Sequence, residues 1–173
     1  MDPWQPHLIQ NTPYRAWLQV RGSLTHALMK RCPAFNVVRL SQQGAPAHAD
    51  EEQVMGLPHR RRAMIREVLL RCGDRPLVFA HSVIPFAGLR GPWVGLSSLG
   101  NRPLGAALFS NPRIHRHPLE FRRLDRRHPL YRKARVHLDG APLNLWARRS
   151  RFTLGGHSIL VTEVFLPETL RLP

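Results

Sequence analysis

The stretch MIREVLL, Met64 to Leu70, limits what this chain can fold into more than any other segment. In an extended backbone, successive side chains point to opposite sides. Met64, Arg66, Val68 and Leu70 therefore share one face, and Ile65, Glu67 and Leu69 the other. Arg66, a cation that does not deprotonate inside proteins, stands among three large apolar side chains. Near the other end, ILVTEVFL is almost a mirror image, with Glu163 on the face of Ile159, Val161 and Phe165. An unpaired charge in a low-dielectric interior costs several kcal/mol, so both residues need a partner or a ligand.

A chain of 173 residues, 43% of them hydrophobic, is long enough for a real core and too apolar for disorder; we expect one domain over 1–173. No run of about 18 apolar residues occurs, so no membrane span is expected. The opening MDPWQPHLIQ lacks the basic and then apolar regions of a signal peptide. Cys32 and Cys72 have no metal-like spacing and read as two separate thiols of a reducing compartment, with the cytoplasm as the expected location. The charge is unusual, +15 from 26 Lys and Arg against 11 Asp and Glu. Such a field suits a polyanion, or draws a small dianionic substrate into a cleft. Since Lys30 and Lys133 are the only lysines, the arginine excess also looks like a codon-composition habit.

TPYRAWLQVRGSLTHALMKRC reads as helix in two pieces, broken at Gly22 and restarted by Ser23 as a cap for Leu24, Ala27 and Leu28. FNVVRLSQQG reads as a strand, and the stretch from Gly44 to Arg60 as a loop. RAMIREVLLR, a turn at Gly73-Asp74 and PLVFAHSVIP form a hairpin, as do LWARRSRFTL, a GGH turn and SILVTEVFLP. GPWVGLSSLG and NRPLGAALF each fit a short helix, the second capped by Asn101. Residues 110–145 are rich in arginine and show no clean period. Separated hairpins with helices between them predict an α+β fold, a single antiparallel sheet with helices packed on it.

Two arrangements satisfy the buried charges. Arg66 and Glu163 can pair with each other, or with Glu67 and nearby arginines, or Arg66 can extend along its aliphatic stem to water. Alternatively both face one pocket, where the guanidinium grips a ligand carboxylate in two-pronged fashion and Glu163 receives a hydroxyl opposite. Within WARRSR, Arg148 shares a face with Trp146, Ser150 and Phe152, while Arg149 and Arg151 point oppositely as a solvated edge. Arg148 is thus the arginine of the three that lies among apolar neighbours, and a structural ion pair would satisfy it.

Several segments in order, RAWL, GSLTHAL, IREVLL with PLVFAHSVIP, SLGNRPLGAALF, WARRS and TEVFLP, resemble the chorismate pyruvate-lyase family. They cover about half of the residues and leave 110–145 poorly matched. The resemblance implies a chorismate lyase-like fold in which helix-loop flaps cover an internal ligand cavity. It implies cleavage of chorismate to 4-hydroxybenzoate and pyruvate, the first committed step toward ubiquinone. By that resemblance Arg66 meets the ring carboxylate and Glu163 the 4-hydroxyl, a second cation, for which Arg148 is the candidate, meets the pyruvyl carboxylate, and Leu24 and Leu104 lie against the ligand through their backbone. Core packing is the competing reading for both leucines. Aromatisation drives such a reaction, so no cofactor and no metal are expected. The GSLTHAL and GPWVGLSSLGNRPLG segments are the candidate covers, with Gly22, Gly91 and Gly100 as hinges.

The alternative is a non-catalytic domain of the same fold that binds a small aromatic acid as effector. A nucleic-acid module would draw on His59 to Arg62 and the 113–135 region, but stacking aromatics there are only Phe121 and Tyr131, so no obligate nucleic-acid partner is expected. His115 and His117 lack a third metal ligand at convincing spacing. We expect a monomer.

Overall fold

The computed structural model describes residues 3–140 and 142–173; Met1 and Asp2 of the opening stretch, and Ala141, lie outside the described residues. The alternation around Arg66 is realised in β2 (Arg62–Cys72), which turns through Gly73-Asp74 into β3 (Arg75–Ile84). Gly73 takes φ 58, a left-handed conformation that glycine adopts without a Cβ clash. The second hairpin joins β6 (Asn144–Leu154) to β7 (His157–Phe165) through Gly155 and Gly156. Both have positive φ, which gives the two-residue turn whose twist matches the strands it joins.

The two hairpins meet along β3 and β7, which sets Ala80 opposite Glu163 and Ser82 opposite Val161. β1 (Phe35–Pro46) pairs outside β2, while β4 (His115–Arg116) and β5 (Glu120–Asp125) share the free side of β6. The described residues thus form one seven-stranded sheet in which every pairing is antiparallel. The predicted α+β class and single sheet are what the molecule has.

Helices cover both faces. On the front lie α1 (Arg15–Leu18), α2 (Leu24–Arg31), α4 (Phe86–Leu89), a 3₁₀ turn at Val94–Ser98 and α5 (Leu104–Ser110). They complete two apolar clusters, one around Trp17, Leu28, Val68, Leu70 and Phe165, the other around Met64, Ile84, Trp93, Leu108 and Ile159. The back is covered by α3 (Ala49–Met55) and α6 (Pro129–Arg135), over Val83 and Leu160 and over Phe79 and Val164 respectively. Ser23 caps α2 as expected, its Oγ accepting from His26 N at 3.2 Å.

Four expectations change. The stretch from Gly44 to Arg60 is not all loop, because β1 runs to Pro46 and α3 follows. Acidic residues Asp50, Glu51 and Glu52 in the first turn complement the helix dipole, and Gly56 at φ 62 ends it. Residues 110–145, which show no period, supply β4, β5 and α6, whose short lengths and edge positions leave little pattern to read. Pro103, not Asn101, occupies the N-cap of α5, while Asn101 Oδ1 accepts from Arg39 N at 3.2 Å.

The fourth correction concerns the cysteines. Cys32, the residue after α2, and Cys72, the last of β2, are joined in a disulfide, with Cα atoms 5.8 Å apart at a sequence separation of 40. Spacing alone could not pair them, because the contact exists only once α2 folds across the end of the hairpin. Closing a loop of this length restricts the unfolded chain by about 4 kcal/mol. Reducing the protein with dithiothreitol should therefore lower its melting temperature by roughly 10 °C. An unchanged melting curve, alongside two titratable thiols in the untreated protein, would show the bond to be absent in solution.

Candidate active site

Between the two front-face clusters the sheet turns polar. One rung across it reads Arg66, Ser82, Val161, Ser150, and the next Val68, Ala80, Glu163, Arg148, each residue opposite its neighbour. Arg66 and Glu163 are thus two strands and two residues apart, roughly 12 Å between Cα atoms at ordinary sheet spacings. Their side chains line one narrow pocket of about 50 Å³. Leu24 and Thr25 from α2, with Leu104, Gly105 and Leu108 from α5, close it over. Leu24 and Leu104 are also packed in the two apolar clusters, so each serves the core and the pocket wall together.

Arg66 is 2% exposed. Its Nη2 donates to the carbonyls of Gly100 at 3.2 Å and Arg102 at 2.9 Å, and its buried Nε has no hydrogen-bond partner. Gly100 sits at φ 57, so only a residue without a Cβ presents that carbonyl without strain. Among the described residues no carboxylate pairs with Arg66, which disposes of the pairing with Glu163 or Glu67. Burial, and then the neighbouring Arg39, pull its pKa down. Carbonyl dipoles do not neutralise a guanidinium, so the site favours an anion.

Glu163 pairs instead with Arg148, whose Nε lies 2.5 Å from Oε2. Arg148 is 1% exposed, and its Nη1 donates to the carbonyls of Leu18 at 3.2 Å and Val20 at 2.7 Å. One side chain therefore orients the carboxylate and ties the chain leaving α1 to the sheet. Its Nε and Nη1 are thereby committed, and Nη2 is the part of the group left for a ligand in the pocket that Arg148 lines.

A third guanidinium, that of Arg116 on β4, also lines the pocket. Its Nε donates to Ser150 Oγ at 3.3 Å and its Nη1 to the carbonyls of Arg21 and Gly22. The group lies 5.3 Å from the ring centre of Phe109 and 5.5 Å from that of Phe152. Burial lowers its pKa, Arg148 adds to this and Glu163 opposes it. Sequence reasoning missed Arg116, which sits in a two-residue strand where alternation leaves no trace. Pairing with Phe152 is what puts it on the pocket face. Three guanidiniums and one carboxylate line the pocket, three minus one leaving a formal +2.

The other two arginines of WARRSR do point to the back face, yet Arg149 is not a solvated edge. It is 6% exposed, 2.7 Å from Glu120 and 4.4 Å from the centre of the Trp4 ring. Arg151 reaches the carbonyl of Val54 and the ring of His117. His115 and His117 meet edge to face at 4.6 Å.

Removing Arg148 leaves Glu163 without its counter-charge and takes a donor from the carbonyls of Leu18 and Val20. Arg148→Ala should destabilise the fold by about 3–5 kcal/mol, read as a lower denaturant midpoint at unchanged slope. Arg148→Lys should recover only part of this, because an ammonium has three donors and no planar fork.

Comparison with known proteins points in one direction. A family model described as chorismate lyase matches residues 4–172. A probable chorismate pyruvate-lyase of Nitrosomonas europaea is 51% identical over 156 residues, 90% of this chain and 88% of the relative. One from Nitrosospira multiformis is 49% identical over 174 residues, 99% of this chain and 97% of the relative. Among solved structures, the effector domain of PhnF from Mycobacterium smegmatis matches with a TM-score of 0.58 at 14% identity, over 85% of this chain and 90% of that one. A GntR-family transcriptional regulator from Bacillus cereus matches with a TM-score of 0.56 at 13% identity, over 79% and 94%. At such identities these two speak to the fold alone. Among the described residues no helix is long and apolar enough to cross a membrane.

Proposed function

Because this chain belongs to the chorismate lyase family, we propose that it cleaves chorismate in the front-face pocket, releasing 4-hydroxybenzoate and pyruvate. The observation that carries the reading is the pocket's charge. Arg66 and Glu163 line it without pairing with each other, and a formal +2 matches a substrate with two carboxylates.

In this reading Arg66 takes the ring carboxylate through the donors its carbonyl partners leave over. Glu163, kept in place by Arg148, accepts a hydrogen bond from the 4-hydroxyl at the far end of the ring. Arg116, with donors on the same side as Ser150, meets the carboxylate of the enolpyruvyl side chain. The ether bond to the ring breaks, and the hydrogen on the hydroxyl-bearing carbon moves to the methylene of the departing side chain. Pyruvate leaves and the ring becomes aromatic. Atoms balance without an oxidant, a reductant or water. The protein holds the reactive conformer and stabilises charge moving to the departing oxygen.

A pocket of about 50 Å³ is tight for such a substrate, so α2 and α5 act as covers that part for entry and exit, with Gly22 and Gly100 as hinges. The enzyme works as a monomeric single domain in the cytoplasm and feeds ubiquinone synthesis.

Purified protein incubated with chorismate alone should yield equimolar 4-hydroxybenzoate and pyruvate. Binding of chorismate without turnover would instead support the effector-binding reading. Arg116→Ala should raise KM for chorismate by roughly 10- to 100-fold, the loss of one charged hydrogen-bonding partner, while leaving 4-hydroxybenzoate affinity nearly unchanged. Arg66→Met should weaken both ligands. Glu163→Gln distinguishes orientation from proton transfer. An amide oxygen still accepts the hydroxyl, so a drop of more than about 100-fold in kcat would mark Glu163 as a proton carrier.

A further inference from the structure

The back of the sheet carries a second polar rung, Glu67, His81, Thr162 and Arg149, each opposite the next. α3 lies over it and brings Glu51, with His48 at its N-cap. His81 is 1% exposed and Glu51 1%. The His81 Nδ1 is hydrogen-bonded to Glu67 Oε1 at 2.9 Å. Its Nε2 faces Glu51 Oε1 at 3.1 Å without hydrogen-bond geometry, and Glu51 Oε2 faces His48 Nδ1 at 3.1 Å in the same way. Three buried atoms, His48 Nδ1, Glu51 Oε1 and His81 Nε2, are therefore left without a hydrogen bond where they converge. One ligand atom from each residue lies within 4.8 Å of the others.

We infer that His48, Glu51 and His81 bind a divalent transition-metal ion of the zinc class, which pins α3 to the back of the sheet. Metal bonds of about 2.0–2.1 Å in a tetrahedron put neighbouring ligand atoms about 3.3 Å apart, the spacing of Glu51 Oε1 and His81 Nε2 at 3.1 Å. His48 Nδ1 lies 3.1 Å from the other oxygen of the same carboxylate and would turn toward the ion. The outer partner that such a histidine requires is already present. Glu67 holds the far ring nitrogen of His81 and so directs the Nε2 lone pair inward. Lys133, 2.5 Å from Glu67, and Ser41, at 3.1 Å, fix that carboxylate in turn.

The local field favours a cation. Two carboxylates flank His81, Glu51 at 3.1 Å and Glu67 at 2.9 Å, and both are buried where water screens them little. Two imidazoles and one carboxylate suit zinc, cobalt or nickel better than magnesium or calcium, which prefer all-oxygen shells. His48, 20% exposed at its side chain, leaves a route for the ion and a fourth position for water. The front-face pocket is on the other side of the sheet, so the ion takes no part in the lyase chemistry.

The test uses intact protein stripped with a chelator and dialysed. Titration with Zn²⁺ in a calorimeter should show one equivalent bound, with a higher melting temperature in its presence. Co²⁺ should give the intense visible absorption of a four-coordinate ion. His48→Ala should weaken binding about tenfold or more with chorismate turnover unchanged, and Glu67→Gln by roughly 10- to 100-fold. Wild-type protein that binds neither ion saturably, or His48→Ala protein that binds as tightly as wild type, overturns the assignment.

Discussion

Arg66 is buried among apolar side chains with two backbone carbonyls for company and, among the described residues, no carboxylate, and much of the molecule can be derived from that charge. To hold it, the 99–103 segment must fold down so that the carbonyls of Gly100 and Arg102 point into the sheet. That brings α5 over the front face. The same charge interrupts the core, dividing the front apolar surface into two clusters. The pocket occupies the gap. A hydrophobic residue at position 66 would join the clusters and remove the reason for a cavity.

The carboxylate end depends on a different kind of support. Glu163 is held by Arg148, and Arg148 by the carbonyls that follow α1. The charged groups of the pocket are therefore fixed by backbone oxygens from the segments before α2 and α5 as well as by the sheet. The disulfide adds a covalent tie between the residue after α2 and the end of β2.

Reading strands from alternation worked where both faces are buried and long. β2, β3, β6 and β7 were legible because each runs nine residues or more, bounded by glycine turns. The same alternation put Arg66, Arg148 and Glu163 each among the apolar side chains of its own strand, and the pairing of the strands then brought the three to one face. It failed for β4, two residues long, and so missed Arg116. It also hid α3, whose seven residues lie among prolines, glycines and histidines and carry acidic groups that turn inward to histidines. Buried carboxylates defeat a reading based on hydrophobic period, because the helix face they occupy looks like surface.

The amino-acid order by itself determined the hairpins, the face on which each charge lies, and the chemistry those charges suit, because side-chain direction in a strand follows from local geometry alone. Only the tertiary structure decided which charges pair, that Arg148 rather than Arg66 belongs to Glu163, that Arg116 completes the pocket, and that Cys32 meets Cys72. Those outcomes depend on register between strands and on where helices land across them. Such contacts join residues tens of positions apart, and no local pattern encodes them.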